Sequence, residues 1–237
     1  MKGTISWRAA AVVLAGALAV PCTAHAQPDS WAGPYLGVIG VYAFTNGAIV
    51  NDYDQDGSLI YSSQRQFEQA FGGVRAGYNF AITGNLLLGV ESDLTFSDGG
   101  NSPAPALENR LPSATADRYG LTSLWGARVR LGVPAGAFLP YVSAGIVAGR
   151  FSTGWDSVPA DEFLGRGSGT AVGYSLGAGV EYAVSPQWRV HAGYRFADFG
   201  TSRIMVREED GFTTVFDAEL QTHAIVFGVT YAFGPRN

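Results

Sequence analysis

Large and small side chains alternate from His223 to Phe233. Ile225, Phe227, Val229, Tyr231 and Phe233 share one parity; Ala224, Gly228, Thr230 and Ala232 share the other, with Val226 the one large exception. Successive side chains of an extended chain point to opposite faces. This stretch is therefore a strand with a greasy, aromatic face and a small or polar one. A single such strand would suit an ordinary sandwich, but here the pattern recurs along the chain behind an export signal. Lys2 and Arg8 precede an apolar run from Ala9 to Val20, and Ala24-His25-Ala26 follows as an A-x-A cleavage pattern. The run is shorter than the roughly 20 residues of a membrane-spanning helix. It reads as a secretory signal peptide over residues 1–26, with residues 27–237 as one barrel domain. A lipoprotein signal at Cys22 fits poorly, because Pro21 stands where such sites want a small residue.

Cleavage would remove Cys22, the one cysteine, so disulfide and thiol chemistry drop out. It would also remove Lys2 and Arg8, leaving 13 − 20 = −7 from the 15 basic and 20 acidic residues of the chain. An acidic chain of this kind is a poor nucleic-acid binder. No later segment is an apolar helix. A chain that spans a membrane without one must close its sheet, since lipid satisfies no open strand edge.

Eight strands are predicted, at about Tyr35–Thr45, Ala70–Ala81, Leu86–Ser97, Tyr119–Val133, Phe138–Ser152, Ala171–Val184, Trp188–Ile204 and Leu220–Phe233. Each approaches or exceeds the length of a tilted transmembrane strand, about 9–11 residues. The connections alternate. Ile82–Asn85, Pro134–Ala137 and Ser185–Gln187 have the chemistry of tight turns, whereas Asn46–Gln69, Asp98–Arg118, Thr153–Thr170 and Ser202–Glu219 are long, polar and acidic. Short periplasmic turns and long outer loops are the asymmetry of an outer-membrane barrel. The fold class is all-β: an eight-stranded antiparallel up-and-down transmembrane β-barrel in the cell outer membrane of a Gram-negative bacterium.

Charge decides which face looks inward. Arg75, Glu91, Asp93, Arg128, Arg130, Glu181, Arg189, His191 and Arg195 all fall on the small or polar faces of their strands. A charge facing lipid at the midplane costs about 2–4 kcal/mol. Inside, opposite charges can pair, and eight strands enclose only enough room for side chains. These residues are therefore a lumen charge network that fills the interior as a polar plug; an ion path is the alternative. The first and fifth strands are ambiguous in facing. Phe80, Trp188, Tyr231 and Phe233 mark the lower membrane interface, with Phe96, Tyr119 and Trp125 nearer the upper one.

Several stretches resemble the small eight-stranded outer-membrane proteins of the porin/opacity type. They are Trp31-Ala-Gly-Pro-Tyr35-Leu-Gly37, Leu88-Gly-Val-Glu91-Ser-Asp93-Leu, Arg128-Val-Arg130-Leu-Gly132, Pro140-Tyr-Val-Ser-Ala-Gly145, Gly177-Ala-Gly-Val-Glu181-Tyr182 and Tyr194-Arg-Phe-Ala-Asp198-Phe-Gly200. Together they span Trp31 to Phe233 and look most like the alphaproteobacterial surface-antigen branch, an OmpA-like transmembrane barrel without a peptidoglycan-binding domain. The resemblance implies a structural or surface-interaction role: envelope integrity, adhesion or antigenicity. It implies as partners outer-membrane lipid and lipopolysaccharide, the barrel-assembly machinery acting on Tyr231 and Phe233, and a host or surface ligand at the outer loops. Members typically end on the terminal aromatic; here Gly234-Pro235-Arg236-Asn237 follow, so the assembly signal would be read slightly internally.

Little else suggests chemistry, and no cofactor is expected. Asp52-Tyr-Asp54-Gln-Asp56-Gly57 matches the first half of an EF-hand loop, but the twelfth position is Ser63 rather than a bidentate glutamate. It reads first as a solvated acidic loop, and so does Arg207–Gly211. His191 has no serine in its strand stretch and His223 sits at the outer end of the last strand, so no triad is assembled and no enzyme is expected. A narrow diffusion channel for ions or small solutes is the alternative function.

Overall fold

The computed structural model describes residues 31–53, 59–97, 114–158, 162–208 and 213–233. The signal sequence expected at 1–26, Asp54, Asp56 and the tail at 234–237 lie outside them. The chain forms eight strands: β1 (Gly33–Tyr53), β2 (Leu59–Thr83), β3 (Leu86–Phe96), β4 (Ala114–Gly132), β5 (Phe138–Val158), β6 (Glu162–Ala183), β7 (Trp188–Glu208) and β8 (Thr213–Ala232). Each pairs antiparallel with the next, and β8 returns to pair with β1 from Tyr35↔Ala232 to Tyr53↔Val215, closing the barrel. Closure leaves no strand edge along the wall, as a membrane demands.

Three tight turns sit at one end. Ala135 and Phe138 exchange backbone hydrogen bonds around Gly136 (φ 64°), where a left-handed residue is needed and glycine supplies it without strain. Ser185 Oγ accepts the Trp188 N–H at 3.0 Å and tightens the β6–β7 turn. In this class of barrel the short-turn end faces the periplasm.

The long polar segments differ from the sequence expectation. Most of Asn46–Gln69, Thr153–Thr170 and Ser202–Glu219 is not loop, because β1, β2 and β5 to β8 run on through them as paired strands. Only an apolar face distinguishes a lipid-spanning strand in sequence. Above the membrane, backbone pairing continues without one, so polar composition hid these strands. Asp52 is accordingly part of β1, paired with Tyr61 and Phe216, and not at a loop tip.

Facing follows parity. Val38, Val74, Val90, Val129, Ile146, Leu176, Ile225 and Phe227 are exposed on the outer wall. Aromatics band it: Tyr78–Phe80, Phe138–Tyr182 and Trp188–Tyr231–Phe233 near the short turns, Tyr42–Phe44, Trp125 and Tyr174–Phe196 above. Along β7, Trp188 to Phe196 is about 27 Å of strand, or roughly 21 Å along the axis at a 40° tilt, close to the ~25 Å apolar band of such barrels. The ambiguous strands resolve: Tyr35, Ile39, Val41 and Ala43 of β1 and Leu139 and Val147 of β5 point inward and are buried.

Candidate functional site

The interior is built in three layers. The middle layer holds the charges. Arg75 on β2 reaches Glu91 Oε2 at 2.8 Å and Glu181 Oε1 at 2.6 Å with one nitrogen, Nη2. Arg128 on β4 spans two carboxylates, Glu91 Oε1 at 3.0 Å and Asp93 Oδ1 at 2.6 Å. Arg130 Nη1 meets Glu181 Oε1 at 2.6 Å and lies 3.6 Å from Glu91 Oε2; Arg195 on β7 meets Asp93 Oδ2 at 2.7 Å. Seven side chains from five strands thus form one connected network. Register explains part of it: Glu91 stands opposite Arg128 on the neighbouring strand. The Arg75–Glu181 contact instead crosses the lumen between β2 and β6, 106 residues apart in the chain.

Two tyrosines complete this layer. Tyr35 donates its hydroxyl to Glu91 Oε2 at 2.9 Å, while the Arg75 and Arg130 guanidiniums lie 5.2 and 5.1 Å from its ring centroid. Arg130 also lies 5.0 Å from the ring of Tyr141. Arginines over aromatic faces gain from the ring quadrupole, more so when desolvated. Asn79 accepts from Arg130 Nε at 3.2 Å and donates to the Trp31 carbonyl at 3.0 Å, linking the network to the layer beneath.

That lower layer is Trp31, packed on Leu87 and Leu139 at the short-turn end. Its ring, 2% exposed, lies under the Arg189 guanidinium at 4.6 Å from the centroid. The upper layer is mainly apolar, with Gln69 and the hydrogen-bonded pair Thr45–Thr222 buried in it. Ile39, Val41, Phe71, Leu121 and Val226 form one cluster, with Val147, Ala171, Phe199 and Leu220 beside it. Val226, the large residue on the small face of β8, is therefore a lumen residue. Gln69 of β2 joins β4 beyond the end of β3: its amide donates to Leu121 O at 3.3 Å and accepts the Leu121 N–H at 2.9 Å. A polar plug alone is thus not what fills the barrel; aliphatic and aromatic layers cap the charges at both ends. Alternation reveals which face a residue takes, and these apolar residues share their faces with glycine and charge, so composition masked them.

Of the residues singled out from sequence, Arg75, Glu91, Asp93, Arg128, Arg130, Glu181 and Arg195 lie in the one network. Arg189 stands apart, on Trp31. His191 is buried opposite Glu181, and neither ring nitrogen has a hydrogen-bond partner among the described residues. Its Cε1 lies 2.6 Å from where a Cβ of residue 228 would sit, so Gly228 makes room for the imidazole. His223 is on the outer wall and shares a short hydrogen bond with Tyr194. Tyr231 and Phe233 sit at the lower outer rim, their rings 4.9 Å apart, with the Phe233 N–H bound to the Pro34 carbonyl. Tyr35, Trp31 and Gln69 were missed as interior residues. The motif Trp31-Ala-Gly-Pro-Tyr35 was the available signal for the first two.

Residues 10–233 match the family model of the outer membrane protein beta-barrel domain. The chain is 27% identical over 237 residues to the 31 kDa outer-membrane immunogenic protein of Brucella melitensis, covering 94% of this chain and 92% of that one. It is 32% identical over 171 residues to the 22 kDa outer membrane protein of Rhizobium leguminosarum, covering 72% of this chain and 65% of that one. Among solved structures it is similar to the outer membrane protein OprG from Pseudomonas aeruginosa (TM-score 0.49, 11% identity, 86% of this chain and 97% of that one). Neisserial surface protein A is a further match (TM-score 0.44, 17% identity, 85% of this chain and 97% of that one). The alternating strands, the closed eight-stranded wall, the apolar exterior and the family match agree: this chain belongs to the outer membrane protein β-barrel family and resides in the outer membrane.

Proposed function

We propose that this barrel is a structural, surface-presenting protein of the envelope whose lumen carries no solute. One observation supports this most: the stacked interior, with Trp31 below, the Arg–Glu–Asp network in the middle and the Ile39–Phe71–Val226 layer above. Among the described residues, two gaps between lumen side chains measure about 20 Å³ each, room for about one water. An ion would have to break several buried guanidinium–carboxylate pairs and pass the packed layers above and below them.

The upper parts of the hairpins extend beyond the apolar band, and binding residues concentrate on segments that a rigid scaffold positions. Lipopolysaccharide, and a surface or host ligand at the connecting segments, are the partners this arrangement suits, and the Brucella relative is named an immunogenic protein. Hydrolysis has less support, because His191 makes none of the nucleophile contacts a general base needs. Recording from purified barrel in planar bilayers tests the reading: silent bilayers are expected, and stable, reproducible unitary currents would replace it with a narrow diffusion channel.

A further inference from the structure

The charge network does not balance. Arg75, Arg128, Arg130 and Arg195 face the carboxylates of Glu91, Asp93 and Glu181, and 4 − 3 leaves one positive charge among these seven residues, of which only Arg195 is partly exposed. All three carboxylates are already shared between guanidiniums. Donors outnumber acceptors as well: Arg75 Nε, Arg128 Nε and Arg130 Nη2 are buried and have no acceptor among the described residues. Arg75 and Arg128 are 3% and 6% exposed.

Two of the three arginines with an unmet N–H, Arg75 and Arg128, meet at one cavity. Arg75, Arg128 and Arg195 line a cavity of about 20 Å³, together with Glu91, Tyr141 and Ser143; Ile39 closes an apolar side. Glu91 does not dominate the cavity, because Arg75, Arg128 and the Tyr35 hydroxyl engage its oxygens. A water would satisfy an unmet N–H but would leave the surplus charge uncompensated in a desolvated site, where unpaired charge is costly. An anion does both. The volume admits a single atom-sized species and excludes phosphate, sulfate or a carboxylic acid.

We propose that this cavity binds one monovalent anion of halide size, taken up as the barrel closes, and that the anion neutralises the arginine surplus. The site would serve the fold and does not depend on whether the lumen conducts.

The test is to refold the barrel into detergent with bromide as the only halide, crystallise it and collect anomalous diffraction. A bromide peak in the cavity touching Arg75 and Arg128 is expected. Density with no anomalous signal, a water in its place, overturns the proposal. In parallel, the heat-modifiability midpoint is followed against bromide at constant ionic strength, with gluconate as the oversized anion. Saturable stabilisation by bromide is expected; identical curves in the two salts count against the site. Arg195→Gln brings the balance to 3 − 3 = 0 and should weaken apparent bromide affinity about tenfold or more. Ser143→Val fills the cavity without touching a charge and should abolish the bromide peak. A peak unchanged in Ser143→Val would also overturn the assignment, and this variant carries the test if Arg195→Gln does not fold.

Discussion

Replacing Glu181 by glutamine asks whether the interior is dry. Glu181 is 1% exposed, and its Oε1 accepts from both Arg75 Nη2 and Arg130 Nη1 at 2.6 Å. The substitution keeps shape and one acceptor oxygen but removes the charge both arginines face. Arg75 retains Glu91 at 2.8 Å, whereas Arg130 is left with Glu91 at 3.6 Å and the neutral Asn79. Breaking a buried pair by removing one partner costs about 3–5 kcal/mol, because the remaining charge stays desolvated. A pair open to water costs about 0–1 kcal/mol. Equilibrium unfolding in urea from lipid vesicles, followed by tryptophan fluorescence, separates these cases. The expected loss for Glu181→Gln is about 3–5 kcal/mol; Asp198→Asn, on the outer rim where Asp198 accepts exposed hydrogen bonds from Tyr174, the Gly200 N–H and Gln221, should lose about 1 kcal/mol. A Glu181→Gln loss as small as that of Asp198→Asn would refute the reasoning. It would mean that water permeates and screens the network, and the closed-lumen reading would fall with it.

Trp31→Ala removes the packing on Leu87 and Leu139 and the stack under Arg189, and should cost about 3–5 kcal/mol in the same assay, with no change in the upper hairpins. Val229→Arg places a charge on the lipid face and should cost about 2–4 kcal/mol; Thr230→Arg, one residue on, faces the lumen and would fail by overpacking instead, so the two should differ in their dependence on bilayer thickness. Gly145→Ala should lower the yield of heat-modifiable protein sharply, because its Cβ would lie 2.1 Å from the Ala127 carbonyl oxygen on the neighbouring strand. A normal yield would show that the two strands can separate at that point.

Much of the architecture is legible from parity. The β2 alternation of Val74, Ala76 and Tyr78 against Arg75, Gly77 and Asn79 already assigns the wall and the lumen, and the same holds for β3, β4, β6, β7 and β8. Strand ends were less legible. Residues 46–53 and 59–69 pair as strands outside the membrane, where no lipid imposes an apolar face. The first and fifth strands were ambiguous for the opposite reason. Ile39 and Val41 fill the lumen while Leu36 and Val38 face lipid, so both faces are apolar and period two carries no contrast.

The amino-acid sequence by itself determined that the chain makes amphipathic strands, how many there are, and that Arg75, Glu91, Asp93, Arg128, Arg130, Glu181 and Arg195 share the inside. Alternation is a local property, set by the geometry of an extended backbone, and needs no knowledge of the neighbours. Only the tertiary structure decided which charges meet and at what height. Glu181 reaches Arg75 across the lumen because closure of β1 on β8 sets the stagger of all eight strands together. The same stagger drops Trp31 beneath the network and lifts Val226 above it. Height in a barrel is a global quantity, and no single strand encodes it.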